Sequence, residues 1–285
     1  MTIAELKKNF STHLSEVYTE SENAFIFQRF AEHILGLNNI QQRRSADEEI
    51  SSENEEKFNQ IISELKTGKP YLQILGETEF YGMKFFVDEN VLIPRPETEE
   101  LLEIAIREIK KLQALKATND TLKILDIGTG SGVIPLVLKK YFPNADVSSI
   151  DFSEKALKTA QRNAEYHQLE IKFIHADYLN FELTDHYDVI ISNPPYIGIE
   201  EEIEIADSVK EFEPKMALFS PTSDSLIFYR KIAEDSRNHL HDNGLLFLEI
   251  NQKLGPETLE LYHYFSDSQL LKDLSENDRF IFGRK

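Results

Sequence analysis

The stretch Leu122-Lys-Ile-Leu-Asp-Ile-Gly-Thr-Gly-Ser-Gly132 joins a short apolar run to a glycine-rich loop. The run is typical of a buried strand, and the residues from Val133 onward have the pattern of a helix. Glycines permit a tight turn and the close approach of a ligand to the backbone. Because open α/β sheets bind ligands where a strand ends and a helix begins, this stretch predicts an α/β fold with a ligand site at the loop.

Strands and helices alternate after this loop. The predicted strands are Leu122–Asp126, Asp146–Ile150, Ile171–Ala176, Tyr187–Ser192 and Leu245–Ile250. The predicted helices are Val133–Tyr141, Glu154–His167, Ser223–His241 and Gly255–Phe265. Short apolar strands separated by helices indicate a parallel sheet that is covered on both faces.

The end of the chain departs from this alternation. Gln269–Leu274 and Arg279–Gly283 are both predicted strands, and only the segment Ser275-Glu-Asn-Asp278 separates them. Parallel strands need a long crossover, whereas so short a connection joins antiparallel strands. The predicted sheet is therefore mostly parallel, with a C-terminal antiparallel hairpin.

Residues 1–70 are predicted to form a separate helical bundle. Apolar residues such as Ile3, Leu6 and Phe10 recur at three- and four-residue steps, and a second such stretch ends at Gly36. Ser52 followed by Glu55 predicts a capping box at the start of a third helix.

Residues 71–93 have β character, which includes Gln73-Ile-Leu75 and two aromatic runs separated by Gly82. They predict a β-hairpin that links the bundle to a domain spanning residues 94–285. The segment Pro94-Arg-Pro-Glu-Thr-Glu99 opens that domain and begins a helix that extends to about Leu115.

Composition limits the possible partners. The 285 residues include 31 Lys and Arg against 50 Asp and Glu, a formal net charge of -19, which argues against nucleic acid. No cysteine is present, and the histidines lack a spacing such as H-E-x-x-H, so no metal is expected. The N-terminus has no signal pattern, and no apolar run reaches the roughly 18 residues of a membrane span. We expect a cytoplasmic protein.

Three acids end consecutive predicted strands of the sheet. Asp126 lies at the glycine loop, and the third glycine of that loop comes one residue too early for a dinucleotide fingerprint, so a cationic ligand suits it better than a phosphate. Asp151 can accept from ribose hydroxyls. Asp177 can accept from an adenine amino group, with Tyr178 or Phe152 packed on the ring.

A ligand with these features is S-adenosylmethionine. The predicted cofactor site consists of Asp126, Gly128, Thr129, Gly130, Ser131, Gly132, Asp151, Phe152, Asp177, Tyr178 and Asn193.

The segment Asn193-Pro-Pro-Tyr196 follows the apolar run Tyr187–Ser192. Two prolines cannot donate to a sheet, so the strand stops there with a rigid end. The Asn193 side chain and the Pro194 carbonyl offer two acceptors, which suit a planar NH2 group. Tyr196 supplies an aromatic face for a flat substrate group.

The whole pattern resembles a known family. The glycine loop, the strand-end acids and the terminal hairpin are similar to the Rossmann-like sheet of class I S-adenosylmethionine-dependent methyltransferases. The N-terminal bundle, Ile93-Pro-Arg-Pro-Glu-Thr-Glu99 and Asn193-Pro-Pro-Tyr196 resemble the protein-(glutamine-N5) methyltransferases that modify peptide chain release factors. Glu213-Pro-Lys-Met-Ala-Leu218 and Glu249-Ile250 occur where that family has similar segments. Two departures are Tyr178, where many members have tryptophan, and Asn251, where glycine is frequent.

The resemblance implies an enzyme that methylates the side-chain amide of the glutamine in a Gly-Gly-Gln loop. Catalytic roles fall on Asn193, Pro194 and Tyr196, and substrate binding on these residues together with Pro195. Residues 1–70 would dock the release factor.

Two alternatives stay open at this point. Asn-Pro-Pro-Tyr also serves enzymes that methylate the amino group of adenine in DNA or RNA, which the net charge disfavours. The other alternative is a module that only senses S-adenosylmethionine. The acceptor pair at Asn193 and Pro194 argues against it, because a sensor does not need to orient an NH2 group.

Overall fold

The computed structural model describes residues 1–115, 120–197, 211–220, 222 and 224–285. The chain divides into two compact units, Met1–Glu77 and Thr78–Lys285. Each unit has an apolar core.

The first unit is a bundle of short helices, as predicted. Phenylalanine rings from three helices meet in its core, where the ring centroid of Phe10 lies 5.6 Å from that of Phe27 and 6.5 Å from that of Phe58. Burial of one apolar face on each helix holds the unit together. The helices are α1 (Ile3–Leu14), α2 (Glu20–Leu35), α3 (Asn39–Arg44), α4 (Ser52–Lys66) and α5 (Tyr71–Leu75).

Two local predictions in this unit are wrong. Ser51, not Ser52, caps α4, and its hydroxyl accepts from the backbone N–H of Asn54 over 3.2 Å. The segment expected to be extended at Gln73 is the helix α5, which ends at Gly76 with a φ of 75°. A short apolar run has no period that distinguishes a strand from a helix, and the left-handed Gly76 stops the turn after five residues.

The second unit is built on a seven-stranded sheet. Its order is β5-β4-β3-β6-β7-β9-β8, and the first five strands in this order are parallel. The last two, β9 and β8, are antiparallel to their neighbours and form the predicted C-terminal hairpin. The strands are β3 (Lys123–Ile127), β4 (Asp146–Asp151), β5 (Lys172–His175), β6 (Tyr187–Ser192), β7 (Leu240–Glu249), β8 (Asp267–Lys272) and β9 (Asp278–Arg284).

Helices cover both faces of the sheet. Ile124 and Val189 face a cluster that includes residues of α6 and α7, whereas their neighbours Leu125 and Ile190 face a cluster that includes α10. Side chains alternate between the faces of a strand, so both faces of the central strands are apolar. The helices of this unit are α6 (Pro96–Leu115), α7 (Val133–Tyr141), α8 (Glu154–His167), α9 (Lys215–Leu218), α10 (Ile227–His239) and α11 (Gly255–Glu260).

The predicted hairpin consists of β1 (Glu77–Phe80) and β2 (Met83–Phe86). Phe80 and Phe85 are buried in the core of the second unit. The Asn163 side chain of α8 holds β2 by accepting from the backbone N–H of Phe86 and donating to its carbonyl. The predicted division was into residues 1–70, 71–93 and 94–285. Within the predicted linker 71–93, the buried residues of the hairpin pack in the same core as the sheet.

Three element bounds differ from the predictions by several residues. β7 begins at Leu240, five residues before Leu245, and α11 ends at Glu260 instead of Phe265. α10 begins at Ile227, and the predicted start at Ser223 lies outside the described residues. After α11 the chain turns, and the Tyr262 hydroxyl donates to the Tyr229 carbonyl, a tertiary bond that no local pattern reveals.

The order of the strands creates a crevice. β3 pairs with β4 on one side and with β6 on the other. The chain runs outward from β3 through β4 to β5 and then returns to β6, so the direction of the strand order reverses between β3 and β6. At such a switch point the loops at the carboxyl ends of the strands separate and leave room for a ligand.

Candidate active site

A cavity of about 510 Å³ lies at the carboxyl ends of β3, β4 and β6. Most of the residues predicted to bind cofactor or substrate line it. They are Gly128, Thr129, Gly130, Ser131, Asp151, Phe152, Asp177, Tyr178, Asn193, Pro194 and Pro195. Of the predicted residues, Asp126, Gly132 and Tyr196 do not line it.

The glycine loop connects β3 to α7 in a conformation that needs its glycines. Gly128 has a φ of 89°, and a Cβ atom there would lie 3.5 Å from the Asn193 carbonyl oxygen. Gly132 has a φ of 85°, and its Cβ would lie 3.1 Å from the Cβ of Ala160 on α8. Gly132 therefore serves the packing of α7 against α8 and does not contact the cavity, which differs from its predicted role.

The Asp151 carboxylate joins β4 to the glycine loop. Its Oδ2 atom accepts from the backbone N–H of Gly130 over 2.9 Å, and Oδ1 accepts from that of Ser153 over 2.8 Å. Burial raises the pKa of Asp151, and these hydrogen bonds oppose the rise. Each carboxylate oxygen has a second lone pair, so the group can also accept from a ligand in the cavity.

Asp126 is fully buried beneath the loop. Ser149 donates to its Oδ2 over 2.5 Å and lies 2.5 Å from the Thr129 hydroxyl. Oδ1 has no hydrogen-bond partner among the described residues. Burial raises the pKa of Asp126 to about 7. Asp126 was predicted to contact a cationic ligand, but its side chain has no exposed surface and does not line the cavity. Its hydrogen bond with Ser149, which lies next to the Thr129 hydroxyl, instead links β3 to β4 and to the glycine loop.

Asp177 and Tyr178 form a short turn after β5. Asp177 Oδ1 accepts from the backbone N–H of Leu179 over 3.2 Å, which caps a single 3-10 turn. The Tyr178 hydroxyl donates to Asp235 over 2.6 Å, and only 5% of Tyr178 is exposed. Phe152 also lines the cavity and is 58% exposed, so a ligand can reach its ring more easily than the buried ring of Tyr178.

Asn193 is half-buried and has a defined orientation. Its Nδ2 atom donates to the Thr98 hydroxyl over 3.2 Å, and that hydroxyl donates to Glu249 Oε2 over 2.7 Å. Because the amide nitrogen faces Thr98, the amide oxygen points along the other branch of the side chain. Pro194 is buried beside it.

Tyr196 does not form a wall of the cavity. Its side chain is mostly buried next to Glu249, and burial first and the Glu249 charge second raise the pKa of Tyr196. Asn251 Nδ2 donates to the Tyr196 carbonyl over 3.3 Å, which ties the loop after β7 to this segment. Tyr196 is not among the residues that line this cavity, and its stacking on a flat substrate group stays a prediction.

Four residues at the site lie in segments that the sequence analysis quoted, but it assigned them no role there: Arg95, Thr98, Glu213 and Glu249. Arg95 lines the cavity and pairs with Glu213, whose side chain has no exposed surface. Thr98 accepts from Asn193 and in turn donates to Glu249. A charged residue at the end of an apolar strand, such as Glu249 after Leu245–Leu248, is the signal that was available.

The described residues contain neither a cluster of metal ligands nor a helix suited to crossing a membrane. No cluster of three or more His, Cys, Asp or Glu side chains there is arranged to hold a metal ion. None of the described helices combines the length and apolar character that crossing a bilayer requires.

The second unit has the fold of known methyltransferases. The family model described as Methyltransferase small domain matches residues 110–211. The catalytic domain of hMettl16, solved in complex with MAT2A 3′UTR hairpin 6, shares the fold with a TM-score of 0.56 and 18% identity, over 75% of this chain and 80% of that one. A methyltransferase from Pyrococcus furiosus has a TM-score of 0.50 and 16% identity, over 82% and 99% of the two chains. The second unit therefore has a methyltransferase fold.

More specific similarity covers nearly the whole chain. The PrmC N-terminal domain matches residues 5–76. The release factor glutamine methyltransferase of Flavobacterium psychrophilum is 44% identical over 284 residues, which are 99% of this chain and 98% of that one. The protein of the same name from Streptococcus pneumoniae is 38% identical over 97% and 95% of the two chains. This chain belongs to the release factor glutamine methyltransferase family.

Proposed function

We propose that this chain transfers a methyl group from S-adenosylmethionine to the side-chain amide nitrogen, N5, of the glutamine in the Gly-Gly-Gln loop of a peptide chain release factor. The names of its relatives support this reaction. The observation that carries the proposal is the orientation of Asn193, because its Nδ2 donates to Thr98 and its oxygen is left to accept from an NH2 group.

The residues at the cavity fit S-adenosylmethionine. A volume of about 510 Å³ is within the range of small-molecule sites. Asp151 can accept from ribose hydroxyls, Asp177 from the adenine amino group, and the exposed ring of Phe152 can pack on the adenine. The glycine loop leaves space for the remainder of the molecule. When bound, this molecule supplies an electrophilic methyl group on a sulfonium.

Asn193 and Pro194 make the substrate amide reactive by holding it. An amide nitrogen is a poor nucleophile, since its lone pair is delocalised into the carbonyl. The two N–H groups would donate to Asn193 Oδ1 and to the Pro194 carbonyl, which fixes the nitrogen and favours a pyramidal form. Such positioning can supply about 7 to 11 kcal/mol.

Methyl transfer to the substrate nitrogen requires neither a metal ion nor a strong base. The substrate nitrogen forms a bond to the methyl carbon while the carbon–sulfur bond breaks, and the electron pair of that bond stays on sulfur. The nitrogen becomes acidic once it is methylated, and its extra proton leaves to water.

Mass spectrometry of a purified release factor, after incubation with the enzyme and S-adenosylmethionine, tests the proposal. We expect the addition of one methyl group on the peptide that contains Gly-Gly-Gln. A release factor with Gly-Gly-Ala in its place is the control and should gain none. Absence of the modification on the intact loop would contradict the proposal.

Methylation of adenine is the second candidate, since a base amino group is also planar and conjugated. The net charge of -19 disfavours it, because phosphate backbones are repelled by an acidic surface. Duplex DNA and an RNA hairpin should therefore gain no methyl group in the same assay.

We further propose that the N-terminal helices, residues 1–70, dock the release factor in the cytoplasm, with residues 71–93 as a linker to the methyltransferase domain at 94–285. A truncated enzyme that lacks residues 1–70 should methylate a short Gly-Gly-Gln peptide as fast as the full chain does. Its kcat/KM on whole release factor should be lower. Equal loss on both substrates would argue against docking.

A further inference from the structure

A buried chain of hydrogen bonds connects Glu249, at the end of β7, to Asn193, at the end of β6. Thr98, near the start of α6, is the middle member. Thr98 is 3% exposed and Glu249 is 1% exposed. The chain runs from Asn193 Nδ2 to Thr98 Oγ1 over 3.2 Å and from Thr98 Oγ1 to Glu249 Oε2 over 2.7 Å.

The chemistry of these three groups gives the chain a direction. A hydroxyl has one hydrogen, and an ionised carboxylate can only accept. Once the Thr98 hydrogen is committed to Glu249, the Thr98 oxygen can only accept, so it must face the NH2 end of Asn193. If the Thr98 hydrogen pointed at Asn193 instead, Thr98 would face the amide oxygen. The NH2 end of Asn193 would then face the substrate NH2, and two donors would meet.

We propose that Thr98 and Glu249 are positioning residues, which set the direction of the Asn193 amide so that its oxygen, and not its nitrogen, faces the substrate. This inference rests on the proposed function, in which Asn193 accepts a hydrogen from the substrate amide. Glu249 acts as the fixed acceptor at the end of the chain. Thr98 is hydrogen-bonded to both residues and so links the Glu249 carboxylate to the Asn193 amide.

Several charged and titratable groups face Glu249. Arg279 on β9 favours its ionised form and Glu97 on α6 disfavours it, while Tyr196 is hydrogen-bonded to it. The Tyr229 hydroxyl of α10 donates to the Glu249 backbone carbonyl over 3.2 Å. Burial is the largest influence and raises the pKa of Glu249 to about 7.

Once protonated, Glu249 would no longer fix the direction of the hydrogen bonds from Asn193 through Thr98 to Glu249. The protonated acid can donate to Thr98, which frees the Thr98 hydrogen to bond the Asn193 oxygen. Wild-type kcat should therefore rise as the pH increases through about 7, where Glu249 becomes ionised. In Glu249→Gln the side chain does not titrate, so this step should be missing and kcat should be lower at high pH.

The decisive comparison uses three variants assayed for methyl transfer to a release factor at saturating substrates. Thr98→Val keeps the shape of the side chain and removes the hydroxyl, and we expect kcat to fall about tenfold with unchanged calorimetric affinity for S-adenosylmethionine. Thr98→Ser keeps the hydroxyl and should recover most of that loss. Thr258→Val removes another buried hydroxyl, one that donates to the Leu254 carbonyl away from the cavity, and serves as the matched control.

The outcomes separate the two proposals. If the wild-type enzyme methylates a release factor and Thr98→Val has the same kcat, the positioning role is overturned and the proposed function stands. Equal losses in Thr98→Val and Thr258→Val would overturn it as well, because a loss of fold stability would then explain both. A wild-type pH profile that persists in Glu249→Gln would remove Glu249 from the role. No transfer by the wild-type enzyme would overturn the proposed function itself.

Discussion

The guanidinium Nη2 atom of Arg95 lies 2.5 Å from Oε1 of Glu213, and the Glu213 side chain has no exposed surface. The second carboxylate oxygen accepts from the backbone N–H of Ile93 over 3.2 Å. A buried carboxylate is costly unless such partners satisfy it. The pair therefore fixes the segment that leads into α6 and brings Arg95 to the edge of the cavity.

Removal of Arg95 should destabilise the protein. Arg95→Met keeps the aliphatic part of the side chain and leaves the Glu213 carboxylate without its cation. We expect the free energy of unfolding to fall by about 2 kcal/mol, measured by urea denaturation. Arg107→Met is the matched control, since the Arg107 side chain is 62% exposed and its pair with Glu108 should contribute less than about 1 kcal/mol. The same loss in both variants would contradict this account.

The sequence predicted those parts of the fold and site that depend on neighbouring residues. The glycine loop at Gly128 follows from a strand-to-helix change within a few residues, and the sheet follows from the alternation of such units. Pairs brought together by the fold were not predictable: Arg95 and Glu213 are 118 positions apart, and Thr98 and Glu249 are 151 apart. No periodicity or local spacing in a single sequence indicates that residues so far apart along the chain lie in contact.

The position of Asp126 shows the same limit at shorter range. A strand-end acid was correctly expected near the loop, yet which way its side chain points depends on Ser149 of the neighbouring strand β4. Tyr196 likewise has the aromatic character that a substrate wall needs, but its side chain lies beside Glu249 at the end of β7. Residue type and order reveal which groups gather at a sheet edge, and packing between strands decides which of them reach the cavity.

Asp151→Ala should weaken the binding of S-adenosylmethionine. The change removes the acceptor proposed for the ribose hydroxyls and also the anchor for the Gly130 and Ser153 backbone N–H groups. We expect the dissociation constant, measured by calorimetry, to rise at least about tenfold. Asp146→Ala, at the exposed opposite end of β4, is the control and should bind as the wild type does. Wild-type affinity in Asp151→Ala would exclude Asp151 from the ribose role.

Asn193→Ala should remove methyl transfer and leave cofactor binding largely intact. Alanine keeps the backbone carbonyl near Gly128 but has no side-chain acceptor for the substrate NH2 group. Loss of one preorganised polar group at a reacting centre typically costs about 100-fold or more in kcat. Transfer to a release factor, followed with labelled cofactor, measures the loss, and Asn238→Ala on the exposed side of α10 is the control. Unchanged turnover in Asn193→Ala would contradict the role proposed for this residue.

Titration of Asp126 should make the protein less stable as the pH rises towards 7, and Asp126→Asn should remove this pH dependence. Burial raises the pKa of Asp126 to about 7, whereas an aspartate in an unfolded chain titrates near about 3.9. The folded state therefore holds a proton between these values that the unfolded state has lost, so the contribution of Asp126 to stability is complete below about pH 4 and is lost as the pH rises through 7. Asparagine does not titrate. The free energy of unfolding of Asp126→Asn, relative to the wild type, should consequently increase by more than about 1 kcal/mol between about pH 5 and about pH 8. Urea denaturation of both proteins at the two pH values measures this change, and a constant difference would show that Asp126 is ionised in the folded protein throughout.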